Sequence, residues 1–151
     1  MKDILFIGDG VGHRTFCSSQ LGLDAYGFDI SKWAINNNPY NLGDRLFIDD
    51  IVNLEHNEQY KLIVCYDVLE HIEESELSKA LDNCYKLGNN FIFSIPFEGD
   101  PNLLADKTHK IFKSKEWWLD KLTKTGFKIK ETPEHFLFAH QIIIATKEDK
   151  K

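Results

Sequence analysis

Five short apolar runs, spaced along the first two thirds of the chain, leave it little choice of architecture. They are "ILFIG" (4–8), "DAYGFDI" (24–30), "RLFIDDI" (45–51), "YKLIVCY" (60–66) and "NFIFSIP" (90–96). Each has strand length, and between the last two lies "ESELSKALDNCYKLG" (74–88). There Leu77, Ala80, Leu81, Cys84, Tyr85 and Leu87 recur at the spacing of one helix face. Ser75 is the expected cap of that helix and Gly88 its left-handed stop. Ser31 is expected to cap a helix beginning "SKWAI", and "SKEWWLDKLTKTGF" predicts another that stops at Gly126. Strands separated by helices pair in parallel through right-handed crossovers, which predicts an open α/β sheet. After Gly126, "KIKETPEHFLFAHQIIIATK" leaves no room for a crossover helix. Pro133 and Glu134 mark a turn between two antiparallel strands instead. The expected sheet is five parallel strands and a terminal hairpin.

One domain over residues 1–147, followed by a polar tail at 148–151, suits a chain of 151 residues. A formal charge of −6 argues against a broad grip on nucleic-acid phosphates or anionic membrane. No apolar stretch approaches the roughly 20 residues of a membrane span. Strand-like sequence begins within a few residues of Met1, with no signal-peptide pattern. The three cysteines, Cys17, Cys65 and Cys84, lie far apart without ligand spacing. They read as reduced, and the cytoplasm is the expected compartment.

In an open α/β sheet, ligands bind at the carboxyl ends of the strands. Gly8, Gly10 and Gly12 follow the first strand, where bare backbone N–H groups and the start of a helix can meet an anion. Asp29 ends the second strand, 21 residues after Gly8, where a carboxylate accepts ribose hydroxyls. Asp49 and Asp50 end the third, and a carboxylate there can accept from an adenine amino group. Asp50 is the first choice because Ile51 beside it can pack on the base. The fourth strand leads into "CYDVLEHI", which puts Tyr66, Asp67, Glu70 and His71 at the reactive end. A nicotinamide site wants Gly-x-Gly-x-x-Gly, and His13 stands where its third glycine belongs.

With these residues in place the chain resembles the class I S-adenosylmethionine-dependent methyltransferases, in particular the group with a "VLEHI"-like stretch. The pieces "GDGVG", "YGFDIS", "FIDDI", "LIVCYDVLEHI", "FIFSIP" and "THKIFKSKEWWLDKLTKTGF" occur in family order over nearly the whole chain. The resemblance implies a Rossmann-like three-layer sandwich with a seven-stranded, mostly parallel sheet and a reversed seventh strand. It implies S-adenosylmethionine as cofactor. Gly8, Gly10 and Gly12 would carry its methionine portion, Asp29 would hold the ribose, and Asp50 with Ile51 would frame the adenine, with Ile30 and Asp49 also among the cofactor-binding residues. Tyr66, chiefly through its backbone, and Asp67 would lie beside the sulfonium.

Phe6 departs from the pattern, standing where relatives carry an acidic residue that helps neutralise the cofactor's ammonium. Asp9, inside the glycine loop, is expected to supply that charge from a shifted position. Lys61 replaces a common aspartate, at a place that is usually structural. The helices that many relatives place ahead of the first strand are not expected here. Cover for the acceptor has to come from 97–110, from the hairpin or from another subunit.

For an oxygen acceptor, His71 and His109 are the expected bases, since imidazole titrates near working pH. His13, His56, His135 and His140 show no metal-site spacing, and no metal is expected. Trp118 with Leu122 follows core spacing, leaving Trp117 nearer the surface. The sequence therefore reads as a methyltransferase for a small molecule or a surface group of a larger one. The alternative is a non-catalytic methyltransferase-like partner subunit.

Overall fold

Residues 1–133 and 141–147 are described by the computed structural model of the chain. The elements follow in the order β1 (Lys2–Ile7), α1 (His13–Gln20), β2 (Ala25–Asp29), α2 (Lys32–Asn36), β3 (Leu46–Ile48) and β4 (Tyr60–Tyr66). Then come α3 (Leu77–Leu87), β5 (Gly88–Ser94), α4 (Pro101–Ala105), α5 (Lys115–Thr125), β6 (Phe127–Lys130) and β7 (Ile142–Lys147). One seven-stranded sheet has the order β3-β2-β1-β4-β5-β7-β6. The strands from β3 to β5 are parallel to their neighbours. β7 runs antiparallel to both β5 and β6, so it alone is reversed. The predicted turn at Pro133–Glu134 reaches beyond the described residues, as do His135, His140 and the tail at 148–151.

Alternation along the central strands divides the side chains between two faces. On one, Leu5, Ile7, Ile63, Cys65, Phe91, Phe93, Ile143 and Ala145 pack with Leu77, Leu81 and Cys84 of α3 and Trp118 and Leu122 of α5. Trp118 is fully buried, while Trp117 is half-buried between the ammonium groups of Lys113 and Lys121. On the other face Phe6, Ala25 and Val64 gather with Ile4, Leu62 and Tyr66. The Ser31 hydroxyl caps α2 by accepting from Ala34 N–H (3.2 Å), and Ser114 does the same for α5 through Trp117 N–H (3.2 Å). Lys61 pairs with Asp3 at the surface (2.7 Å).

Two local expectations are corrected. Ser75 lies inside a 3-10 turn, Glu74–Glu76, and gives α3 no side-chain cap. Gly88 is extended, with φ −165°, and opens β5 directly from the helix. Its missing side chain serves packing: a Cβ there would stand 2.8 Å from Ile63 Cγ1 and 2.9 Å from the Tyr60 carbonyl oxygen. Gly88→Ala is accordingly expected to cost about 1–3 kcal/mol, by overpacking of this kind. An unchanged urea midpoint would contradict that. The connection from β3 to β4 contains no helix. The Asp49 carboxylate instead accepts N–H groups from Asp50, Glu55 and His56, and Asn83 of α3 donates to the carbonyls of Ile51 and Val52. Polar side chains satisfy this connection's backbone where a helix would otherwise do so.

Candidate functional site

Strand order reverses between β1 and β4, because β1 pairs with β2 on one side and β4 on the other. Connections leave in opposite directions there and open a crevice at the carboxyl ends. A cavity of about 320 Å³ occupies it. Ile7 and Gly8 line it from β1, Phe28, Asp29 and Ile30 from β2, and Asp49, Asp50 and Ile51 from β3. Asp67, Val68, His71 and Ile72 close it from β4.

The glycine turn is built by its backbone. Gly8, Gly10 and Gly12 all have positive φ (72°, 57° and 85°), and the N–H groups of Gly8 and Asp9 both donate to the Phe28 carbonyl (2.9 and 3.0 Å). At Gly8 a Cβ would come within 2.3 Å of Val68 Cγ2, so this position admits no side chain without moving the cavity wall. One Asp29 oxygen accepts Gly10 N–H (2.9 Å) and the other Ser31 N–H (2.8 Å). Asp29 thus ties the turn to the start of α2, and each oxygen keeps a further lone pair. Beside it Ile30 is 69% exposed, an apolar side chain left uncovered at the rim.

The two carboxylates after β3 divide their work. Asp49 is occupied by three backbone N–H groups, as described for the β3–β4 connection. Asp50 accepts Val52 N–H (2.9 Å) and the Asn53 side-chain amide (2.9 Å). Asp67 adopts a left-handed backbone (φ 55°), uncommon for a residue with a side chain. Ser94 holds it there: Asp67 N–H donates to the Ser94 carbonyl (3.0 Å), and the Ser94 hydroxyl donates to Asp67 Oδ1 (3.0 Å).

Asp9 does not face the cavity. Its carboxylate is buried, accepts Thr15 N–H in the first turn of α1 (3.1 Å) and fills the space over Gly27. Burial raises its pKa above the ordinary value. The shifted-charge expectation is therefore corrected: Asp9 closes the start of a helix. Gly10, Gly12 and Tyr66 also lie outside the cavity lining. The Tyr66 ring packs on the Phe6 side, with the Arg14 guanidinium 5.5 Å from its centre. Arg14 Nη1 is buried without a hydrogen-bond partner among the described residues.

At the β4 end a backbone clamp assembles a polar cluster. The Glu70 carbonyl, in the 3-10 turn Leu69–His71, accepts N–H groups from Lys110 (2.8 Å) and Ile111 (3.2 Å). This draws His109 across His71, with ring centres 4.6 Å apart. The Glu70 side chain is fully buried, and neither carboxylate oxygen has a hydrogen-bond partner on another of the described residues. Burial pushes its pKa up to about 8; its own backbone N–H opposes the rise, and the charges of Asp67 and Asp106 add to it. One ligand atom each from Glu70, His71 and His109 lies within 4.8 Å of the others, a grouping outside the four histidines weighed for metal spacing in the sequence.

The crevice thus brings together Gly8, Asp29, Ile30, Asp49, Asp50, Ile51, Asp67 and His71. Sequence reasoning missed Ile7, Phe28, Val68 and Ile72, which read as ordinary core. It named Glu70 only among the polar groups near the reactive end. Segment 97–110 carries α4 and delivers His109 beside the crevice without lining it.

This chain has the fold of the class I S-adenosylmethionine-dependent methyltransferases. A magnesium protoporphyrin IX methyltransferase from Synechocystis PCC 6803, with bound SAH, superposes with a TM-score of 0.74 at 20% identity, over 97% of this chain and 74% of that one. A TehB-like methyltransferase from Corynebacterium glutamicum gives 0.73 at 19% identity, over 97% and 80%. A putative methyltransferase in complex with the Haloferax volcanii Trm112 activator gives 0.72 at 12%, over 96% and 81%. No protein-family model and no curated protein matches the sequence. Among the described residues no helix is long and apolar enough to cross a membrane.

The crevice fits a group such as S-adenosylmethionine. Asp29 and Asp50 offer carboxylate acceptors and Ile30 an uncovered apolar surface, while Gly10, just outside the lining, leaves open space where a Cβ would stand.

Proposed function

We propose that this protein is an S-adenosylmethionine-dependent methyltransferase acting on a small molecule or on an exposed group of a larger one. The observation that carries the reading is the crevice at the strand-order reversal, with Asp29 at the end of β2 and Asp50–Ile51 at the end of β3 in one cavity. Asp29 would hold the ribose through its remaining lone pairs, with Ile30 and Ile51 flanking the adenine and Asp50 accepting from its amino group. Gly10, with open space where a Cβ would stand, would give the methionine portion its approach, and Gly8 and Gly12, packed against Val68, Leu42 and Leu46, would hold the turn in shape beside it. Tyr66, through its backbone, and Asp67 would border the sulfonium end. The bound cofactor supplies an electrophilic methyl group.

Phe6 contributes no charge, so recognition of the methionine end falls to its carboxylate through Arg14. The chain's remaining work is to orient the acceptor and exclude water. His71 lines the crevice and His109 packs against it, so their lone pairs stand at the acceptor end, as proton acceptors or as ligands. Bulk nucleic acid is a poor partner for a chain of net charge −6. An activating subunit remains part of the proposal, as one similar structure is such a complex. We place the protein in the cytoplasm.

Thermal unfolding tests the reading. S-adenosylhomocysteine at 1 mM is expected to raise Tm by several degrees, since a ligand at 100 times its Kd adds about 2.7 kcal/mol. A nicotinamide dinucleotide at the same concentration should leave Tm unchanged. No shift with the homocysteine product would favour the partner-subunit alternative.

A further inference from the structure

The geometry points to a divalent metal site formed by Glu70, His71 and His109, open towards the crevice, for a cation of the zinc class. The hydrogen bonds around the two imidazoles fix which nitrogens are free. His109 Nδ1 lies 2.8 Å from the Leu103 carbonyl, which only accepts, so Nδ1 carries the proton and Nε2 is bare. The Thr108 hydroxyl donates to Asp106 Oδ1 (2.6 Å), so its oxygen accepts from His71 Nδ1 (2.9 Å). That leaves His71 Nε2 bare as well. A carbonyl or a carboxylate-backed hydroxyl behind each ring is the outer arrangement that prepares histidines to ligate metal.

Glu70 supplies the second, independent observation. Its carboxylate is fully buried, neither oxygen has a hydrogen-bond partner on another of the described residues, and Oε1 faces His109 Nε2 at 3.8 Å. That gap is too long for a hydrogen bond. Donors about 2.1 Å from one cation stand roughly 3–3.5 Å apart; the three ligand atoms lie within 4.8 Å of one another, so the side chains close by about an ångström around a bound ion. Asp106 Oδ2, also 3.8 Å from His109 Nε2, stands at its outer edge. Two imidazoles and one carboxylate suit zinc-class cations better than magnesium, which prefers oxygen ligands.

Three protein ligands leave coordination positions free, and His71 lines the crevice, so those positions meet the acceptor. The acceptor class is then one that ligates through oxygen, a hydroxyl foremost; this part rests on the methyltransferase reading. His71 and His109 thereby serve as ligands, and the bound cation lowers the pKa of the oxygen it holds.

The test is calorimetric titration of the chelator-stripped full chain with Zn2+, without cofactor. One ion per chain with a Kd of micromolar or tighter is expected, weakened at least 100-fold in Glu70→Gln and in His109→Ala. Cys17→Ser should leave it unchanged, although Cys17 Sγ and His13 Nε2 lie 3.6 Å apart at the surface. Binding weaker than 100 μM, or unaffected by both site variants, or lost in Cys17→Ser, would overturn the site. S-adenosylhomocysteine affinity, measured on each variant, reports folding separately. Zn2+ binding by a wild-type chain that ignores S-adenosylhomocysteine would leave the metal site standing and remove the methyltransferase reading; the converse would do the opposite. In the Co2+ form, acetohydroxamate should shift the visible absorption by occupying the free positions. An unmoved spectrum would contradict an open site.

Discussion

Asp29→Ala is expected to weaken S-adenosylmethionine binding by at least 100-fold while the chain stays folded. The carboxylate has two duties that alanine removes together. It accepts Gly10 N–H and Ser31 N–H, so the glycine turn loses its anchor to α2. It would also lose the ribose hydroxyls, and hydrogen bonds to a charged group contribute about 1.5–3 kcal/mol each. Two such bonds correspond to more than two orders of magnitude in Kd. Asp29→Asn separates the duties, because its amide oxygen can still accept one backbone N–H. It should bind more tightly than the alanine variant and far more weakly than wild type. Calorimetry on the three proteins, with circular dichroism to verify folding, checks the order. Near-equal Kd values would show that the ribose is held elsewhere.

The second large effect concerns Glu70 in metal-free protein, with a chelator present. Its folded pKa of about 8 stands well above the ordinary glutamate value of 4.5. Between those two values the folded state holds a proton that the unfolded chain has released, so raising the pH destabilises the fold. The loss begins near pH 4.5 and is complete above about pH 8. A rise of this size corresponds to ~3–5 kcal/mol. Asp67 and Asp106 enlarge it, and the two histidines at the cluster face the same carboxylate. Glu70→Gln keeps the shape without the charge. In urea unfolding it should gain on wild type steadily from pH 5 to pH 8. A difference between the two proteins that is independent of pH would contradict a buried, proton-binding Glu70.

Local patterns carried most of the fold. The β-runs and the apolar faces of α3 and α5 could be read because each buries residues at a period its own backbone sets. Gly126 likewise stops α5 as expected, with φ 108°. What failed was decided by distant neighbours. Gly88 is required by Ile63 and Tyr60, 25 and 28 positions away in sequence, and no local pattern records such an approach. The separate parts of Asp49 and Asp50 were not legible either, because Asp49 turns its carboxylate onto its own loop and one-dimensional spacing treats the two alike. Within the crevice, strand-end carboxylates were legible because topology fixes where strand ends go. Asp9 was misread because a loop carboxylate can turn to a ligand or to a helix start, and the space over Gly27 selects the helix. The Glu70–His71–His109 cluster joins residues nearly forty positions apart through amides that donate to the Glu70 carbonyl. Its only sequence signal was the "LEH" triplet, and that does not announce its partner.

The most direct test of the account is calorimetric titration of the wild-type chain with S-adenosylmethionine and S-adenosylhomocysteine. One site per chain, with micromolar Kd for both, is predicted. Absence of heat with either ligand up to millimolar concentration would contradict it.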